Sequence, residues 1–232
     1  MINMSGGGDI SQIKHDFEEK MEKGFFSCSI DPEVASNGSV KYFEGTNCVI
    51  TSIIGPQILV KKNEEAVLNF EARVRGDPSI DEQKSRYFEE NIVSVVSSVV
   101  EKEFYPHHTI RFFVVVVQHD RNVRIRGLMK KLYSTIMNSV ILCLLVNGVK
   151  LKKSCFCLDI TKTKDGEYRL FEASPEEDSS ISLTMDIINK KILHIISYDD
   201  ITINELDLIR RLTDGLSDSC KMILKSFLNM NY

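Results

Sequence analysis

The chain has no hydrophobic run longer than seven residues, Val140 to Val146. A membrane-spanning helix needs roughly 18 or more, so neither a span nor a membrane partner is expected. None of its six cysteines (Cys28, Cys48, Cys143, Cys155, Cys157, Cys220) forms a Cys-x-x-Cys pair, which removes zinc-ribbon spacing. The opening MINMSGGGDI holds no apolar signal core, so an intracellular, reduced protein with free thiols is expected. Walker, Gly-x-Gly-x-x-Gly and Gly-x-Ser-x-Gly motifs are all missing, and with them the common nucleotide-binding and hydrolase signatures. A large charge of one sign is also missing. The 29 basic and 33 acidic side chains leave a net −4, unlike the basic balance of a generic nucleic-acid coat.

What is present is 232 residues at 43% hydrophobic, enough for one large domain or two small ones. The charge is unevenly placed. Residues 1–100 carry 10 basic and 16 acidic side chains, residues 101–170 carry 13 and 6, and residues 171–232 carry 6 and 11. The basic middle reads either as one face for an anionic partner or as charge that folding intersperses.

Residues 1–24 look like a flexible N-terminal arm with one helical turn or more, because Gly6-Gly7-Gly8 is loose and Ile13 to Lys23 is charged. Residues 25–232 read as one domain, with no linker and no repeat. Val40–Phe43 and Cys48–Ile54 read as strands around the Glu44–Asn47 turn, with Gly55-Pro56 ending the second. Val67 to Arg75 alternates like a half-buried strand. Ser79-x-x-Glu82 is a capping box opening a helix from Ile80 to about Glu103. Thr109–Gln118, with Phe112-Phe113 and four valines, suits a strand covered on both faces. Leu128–Asn147 carries apolar residues every four positions and closes at Gly148, as a helix does. Strands follow near Ser154–Lys162 and Tyr168–Glu172 around Asp165-Gly166, then at Ser180–Ile188 and Lys191–Ser197. Thr202-x-x-Glu205 caps a last helix whose stripe is Leu206, Ile209, Leu212, Leu216, Cys220, Ile223 and Phe227. The order is that of an α+β protein.

Few residues suggest chemistry. His119-Asp120 could form an acid–base pair, but strand neighbours point to opposite faces, so a surface strand end is favoured. Glu176-Glu177-Asp178 could hold a divalent metal or be a solvated turn; the turn is favoured, and neither a metal nor a cofactor is expected. Arg121, Arg124, Arg126, Lys130 and Lys131 crowd a strand-to-helix junction, where amides and guanidiniums suit phosphate. Arg73, Arg75, Lys84 and Arg86 form a second basic group.

Gly38-Ser39-Val40, Gly45-Thr46-Asn47-Cys48-Val49 and Gly55-Pro56 form a spaced set, continued by Tyr105-Pro106, Val114–Gln118 and Val146-Asn147-Gly148-Val149. This ordered set resembles the RNase PH family over most of residues 28–230. The resemblance implies a single RNase PH-like domain (ribosomal protein S5 domain 2-like), with mixed β-sheets packed against long helices. The stretch Gly24 to Glu33 lacks the family's Arg-x-Asp-Gly-Arg opening. It is more similar to short ring subunits of the eukaryotic exosome, such as the ribosomal-RNA-processing protein forty-six type.

Active members of the family carry Gln-x-Asp-Gly-Gly-Thr-Arg at the junction. The matching stretch is Gln118 to Arg124, in which Arg124 survives but Arg121 and Asn122 replace the glycines and Val123 the threonine. Those side chains would fill the phosphate cradle, and Val123 has no hydroxyl. Of the family's two aspartates, six apart, the first matches Asp178 and the second falls on Thr184, with Asp186 two residues beyond. The helical phosphate-binding arginine falls on Glu90. The resemblance therefore implies a non-catalytic ring subunit supporting 3′-to-5′ RNA processing and degradation, ribosomal RNA included. Asp178, Arg124 and Thr184 would be remnants of the catalytic site. Arg73, Arg75, Arg121, Arg124 and Arg126 are the candidates for RNA contact. The implied partners are other RNase PH-like ring subunits, cap subunits and single-stranded RNA, in nucleus, nucleolus and cytoplasm. The alternatives are an active phosphate-dependent exoribonuclease using Asp178 and Asp186, and a homodimeric nucleic-acid-binding protein outside a ring.

Overall fold

The computed structural model describes residues 10–30, 38–59, 63–74, 82–118, 125–163, 167–171, 179–197 and 200–229. The first element is helix α1 (Ile10–Glu22), where a loose arm with one helical turn or more was expected. Its sequence is charged overall, but Ile13 and Phe17, four residues apart, lie on one face and are buried in the core. Phe17 stacks on Phe171 with ring centroids 6.1 Å apart and meets Phe26 at 5.8 Å. Two buried apolar side chains outweigh the polarity of the rest, and the helix docks.

Strands β1 (Phe26–Ile30), β2 (Gly38–Glu44) and β3 (Asn47–Ile58) form an antiparallel meander. β3 does not stop at Gly55-Pro56 as the sequence suggested. It continues to Ile58 through a register shift between Ile54 and Gln57, the kind of irregularity that accommodates a proline in a strand. β4 (Val67–Val74) leads through helix α2 (Glu82–Val99) to β5 (His108–Gln118), which runs parallel to β4 and antiparallel to β3. A parallel pair needs such a crossover. The sheet order is β1-β2-β3-β5-β4. Ser79 of the first capping box lies outside the described residues. The helical stretch ends earlier than expected, at Val99, and resumes as a 3₁₀ turn at Lys102–Phe104. Between them Val100 bridges to Leu151.

β5 corrects a second expectation. Ile110, Phe112, Val114 and Val116 face the core, whereas Arg111 is exposed and Val115 is 36% exposed. The run is apolar on both faces because β-branched residues suit strands, but among the described residues one face is buried and the other, with Phe113 and Val117 half-buried, is only partly covered.

Helix α3 (Ile125–Val146) is the centre of the molecule. Every residue from Leu132 to Leu144 is buried, not one stripe alone. Gly148, with φ 64°, closes it as expected: its N–H reaches the Leu145 carbonyl and that of Val149 reaches Leu144. On one side α3 meets the first sheet, where Thr51 Oγ1 lies 2.6 Å from Ser139 Oγ. On the other it meets a second sheet of β6 (Cys155–Lys162), β7 (Tyr168–Leu170), β8 (Ser179–Asp186) and β9 (Lys191–Ser197), all antiparallel and ordered β7-β6-β8-β9. Helix α4 (Ile203–Asn229) lies against β8 and β9. Its capping box forms: Thr202 N–H donates to Glu205 Oε2 at 2.7 Å and Glu205 N–H to Thr202 Oγ1 at 3.3 Å. The stripe is as expected except for Leu206, which is 45% exposed, while Leu208 is buried in its place. All six cysteines are free, and burial pushes the Cys143 thiol up to about 12.

Candidate functional site

Five element ends gather at one end of the molecule. Parallel pairing sets Val74, the last residue of β4, beside Val116, so β4 and β5 finish together. β3 begins there too, since Cys48 is opposite Gln118. Asn47 Nδ2 donates to Thr135 Oγ1 at 3.5 Å, and Thr51 meets Ser139, so this end of the sheet is the end where α3 begins. In the second sheet the contacts climb α3 in reverse. Cys157 meets Asn138 and Asp159 meets Ser134, so the start of β8, paired with Lys162, points toward the start of α3. A helix start beside two strand ends suits a phosphate.

The topology therefore brings the backbone of Arg73, the second-last residue of β4, and Arg126, the second residue of α3, to this end. Arg75, Arg121 and Arg124 lie outside the described residues, as do Asp178, the Glu176-Glu177-Asp178 run and His119-Asp120. Glu90 is exposed on α2.

Two expected site residues are placed away from any surface. Thr184 is 0% exposed, and its hydroxyl donates to Cys157 Sγ at 3.5 Å. Asp186, the substitute acid, is 1% exposed and bound into the β8–β9 turn. Its Oδ1 accepts from the N–H of Ile188 at 3.0 Å and of Asn189 at 3.2 Å, and Oδ2 accepts from Asn189 Nδ2 at 2.7 Å. A short polar side chain bonding its own turn is a structural role.

Sequence reasoning missed the polar cluster beneath this end. Glu44, at the end of β2, is buried, and Asp159 of β6 is partly buried. Ser134 Oγ lies 2.5 Å from Glu44 Oε1 and 2.6 Å from Asp159 Oδ2. Glu44 also accepts from Thr135 Oγ1 at 3.0 Å, Tyr42 OH at 3.1 Å and Asn138 Nδ2 at 3.3 Å. Ser182 Oγ donates to Asp159 Oδ1 at 2.5 Å. Burial, then the Asp159 charge, pushes the Glu44 carboxyl up to about 7 against the hydrogen bonds it accepts. Burial pushes Asp159 up to about 6. A signal existed: Val40, Tyr42 and Glu44 share one strand face, and four polar residues (Ser134, Thr135, Asn138, Ser139) interrupt the otherwise apolar stretch 132–146.

No sequence-family profile and no curated protein sequence matches the chain. Solved structures do. A crystal structure of Rrp46 from rice (Oryza sativa) superposes with a TM-score of 0.72 at 17% identity, over 88% of this chain and 94% of that one. A chain of the Archaeoglobus fulgidus exosome with RNA bound to the active site superposes with a TM-score of 0.63 at 12% identity, over 94% and 98%. The two sheets and the helices between and around them are thus the RNase PH-like α+β fold of these exosome proteins.

Proposed function

We propose that this chain is a non-catalytic subunit of an RNA exosome core ring, supporting 3′-to-5′ RNA processing and degradation, ribosomal RNA included. The observation that carries this reading is the superposition on rice Rrp46 across nearly the whole of both chains. The likeness to a chain of an archaeal exosome that has RNA bound to its active site supports the same assembly and the same ligand class. Its partners are then other RNase PH-like ring subunits, cap subunits and single-stranded RNA, in nucleus, nucleolus and cytoplasm.

Several observations support loss of catalysis. Arg121 and Asn122 stand where the resembling family has glycines, and Val123 where it has a threonine. Thr184 is buried against Cys157, and Asp186 is held by its turn. The arginines support a role in holding RNA. The backbones of Arg73, near the end of β4, and Arg126, near the start of α3, come to one end of the molecule, and Arg75, Arg121 and Arg124 are near them in sequence. A subunit of a ring shares its RNA with neighbours, so a net charge of −4 does not oppose this role.

Sequence-independent phosphate contacts depend on salt, with a slope near 0.7 per contact for single strands. Changing Arg73, Arg75 and Arg124 together to alanine is expected to weaken RNA binding by the assembled ring and to lower the slope of log affinity against log salt by about 2. Fluorescence anisotropy with a labelled oligoribonucleotide over a salt series measures both. Unchanged affinity and slope would remove the RNA role.

A further inference from the structure

We propose that the Glu44–Ser134–Asp159 bridge stores one proton in the folded protein at mildly acidic pH, forming a clasp between β2 and β6 that a rise in pH through neutrality releases. The inference rests on counting hydrogens. Ser134 Oγ approaches Glu44 Oε1 at 2.5 Å and Asp159 Oδ2 at 2.6 Å. A hydroxyl has one hydrogen and can donate to only one of them. If both carboxyls were ionised, the second contact would set lone pairs against lone pairs. With one carboxyl protonated, the chain is complete: the acid donates to Ser134, and Ser134 donates to the other carboxylate.

The surroundings favour the same count. Tyr42, Thr135 and Asn138 already occupy Glu44, and Ser182 occupies Asp159; all are neutral groups. The other titratable groups turned toward the pair, among the described residues, are Tyr42 from β2 and Cys157 from β6, with Cys28 of β1 paired beside Tyr42. Burial pushes each of these up, so they too are neutral at pH 7. Among the described residues no cation stands against this cluster, and burying an unpaired charge is costly. The partial exposure of Asp159 leaves the pair a path for proton exchange.

The sign follows from linkage. A carboxyl raised on folding holds its proton longer in the folded state, so its stabilisation is complete below about pH 4. It is lost as the pH rises through about 6 to 7, where Asp159 and Glu44 ionise. For one stored proton the unfolding constant grows by up to about tenfold per pH unit across that window.

Two measurements on the full chain test this. Carbon NMR of the side-chain carboxyls is expected to show one of the two, Glu44 or Asp159, still protonated above about pH 6. Glu44→Gln and Asp159→Asn each place an amide N–H where the acid proton would be. Each is expected to match the parent's urea unfolding near pH 5 and to unfold at least about tenfold less readily near pH 8.5, with a flatter pH dependence. If both carboxyls ionise below about pH 5, or if the single-amide variants keep the parent's pH slope, no proton is stored. The NMR titration reads the parent alone and decides the question even if a variant fails to fold.

Discussion

Replacing Asn138 with alanine is expected to destabilise the protein by about 3–5 kcal/mol, because the lost amide leaves several buried groups unsatisfied at once. β7 covers only Ile160–Lys162 of its neighbour β6. Further back, at Cys157, the Asn138 side chain takes the place of a strand. Its Oδ1 accepts from the Cys157 N–H at 2.7 Å, and its Nδ2 donates to the Cys157 carbonyl at 2.9 Å. The same Nδ2 reaches Glu44 at 3.3 Å. Alanine strands one backbone donor and one acceptor in the core, each costing about 1–3 kcal/mol, and takes a donor from a buried carboxyl. With a urea m-value of about 2–3 kcal/mol/M the unfolding midpoint falls by about 1–2 M. A loss below about 1 kcal/mol would mean that α3 does not tie the two sheets together in this way.

The second large effect concerns chemistry. The purified chain, given inorganic phosphate and a single-stranded oligoribonucleotide, is expected to release nucleoside diphosphates at least about 10³-fold more slowly than an active RNase PH-like enzyme assayed beside it. Phosphoryl transfer rests on charge stabilisation around the moving group, and removing one preorganised donor typically costs 10²–10³-fold. Where the resembling family has two glycines and a threonine, this chain has Arg121, Asn122 and Val123, which offer neither an open backbone nor that hydroxyl. The position that the resemblance assigns to the second acid is Thr184, which is buried, and the aspartate two residues on is committed to its own turn. Such groups act as a unit, so their losses do not simply multiply, and 10³ is a floor. Phosphate-dependent release that disappears in Asp178→Ala would overturn the non-catalytic reading.

The order of strands and helices was legible because each element carries its own period or punctuation. β4 alternates, α4 opens on a capping box, and Asn147-Gly148 closes α3. Three features were not legible, each for a physical reason. α1 docks through buried Ile13 and Phe17, with Ile10 and Met21 only partly buried beside them, a short stripe that does not stand out from a charged segment. β3 passes Gly55-Pro56 because its partner β5 tolerates a register shift that only pairing reveals. The Glu44 and Asp159 carboxyls lie far apart in sequence and meet only because α3 brings Ser134 between them. At the candidate site the sequence named residue types without their depth. Asp186 looked like an available acid until its three hydrogen bonds placed it in a turn.

Membership in a ring is the claim on which the functional account depends. Purifying the native complex through this chain under mild conditions, and identifying and counting its subunits by mass spectrometry, tests it most directly. The account predicts other RNase PH-like chains co-purifying in equal amounts, together with cap subunits. Recovery of the chain alone, as a monomer or a homodimer with no RNase PH-like partner, would contradict it.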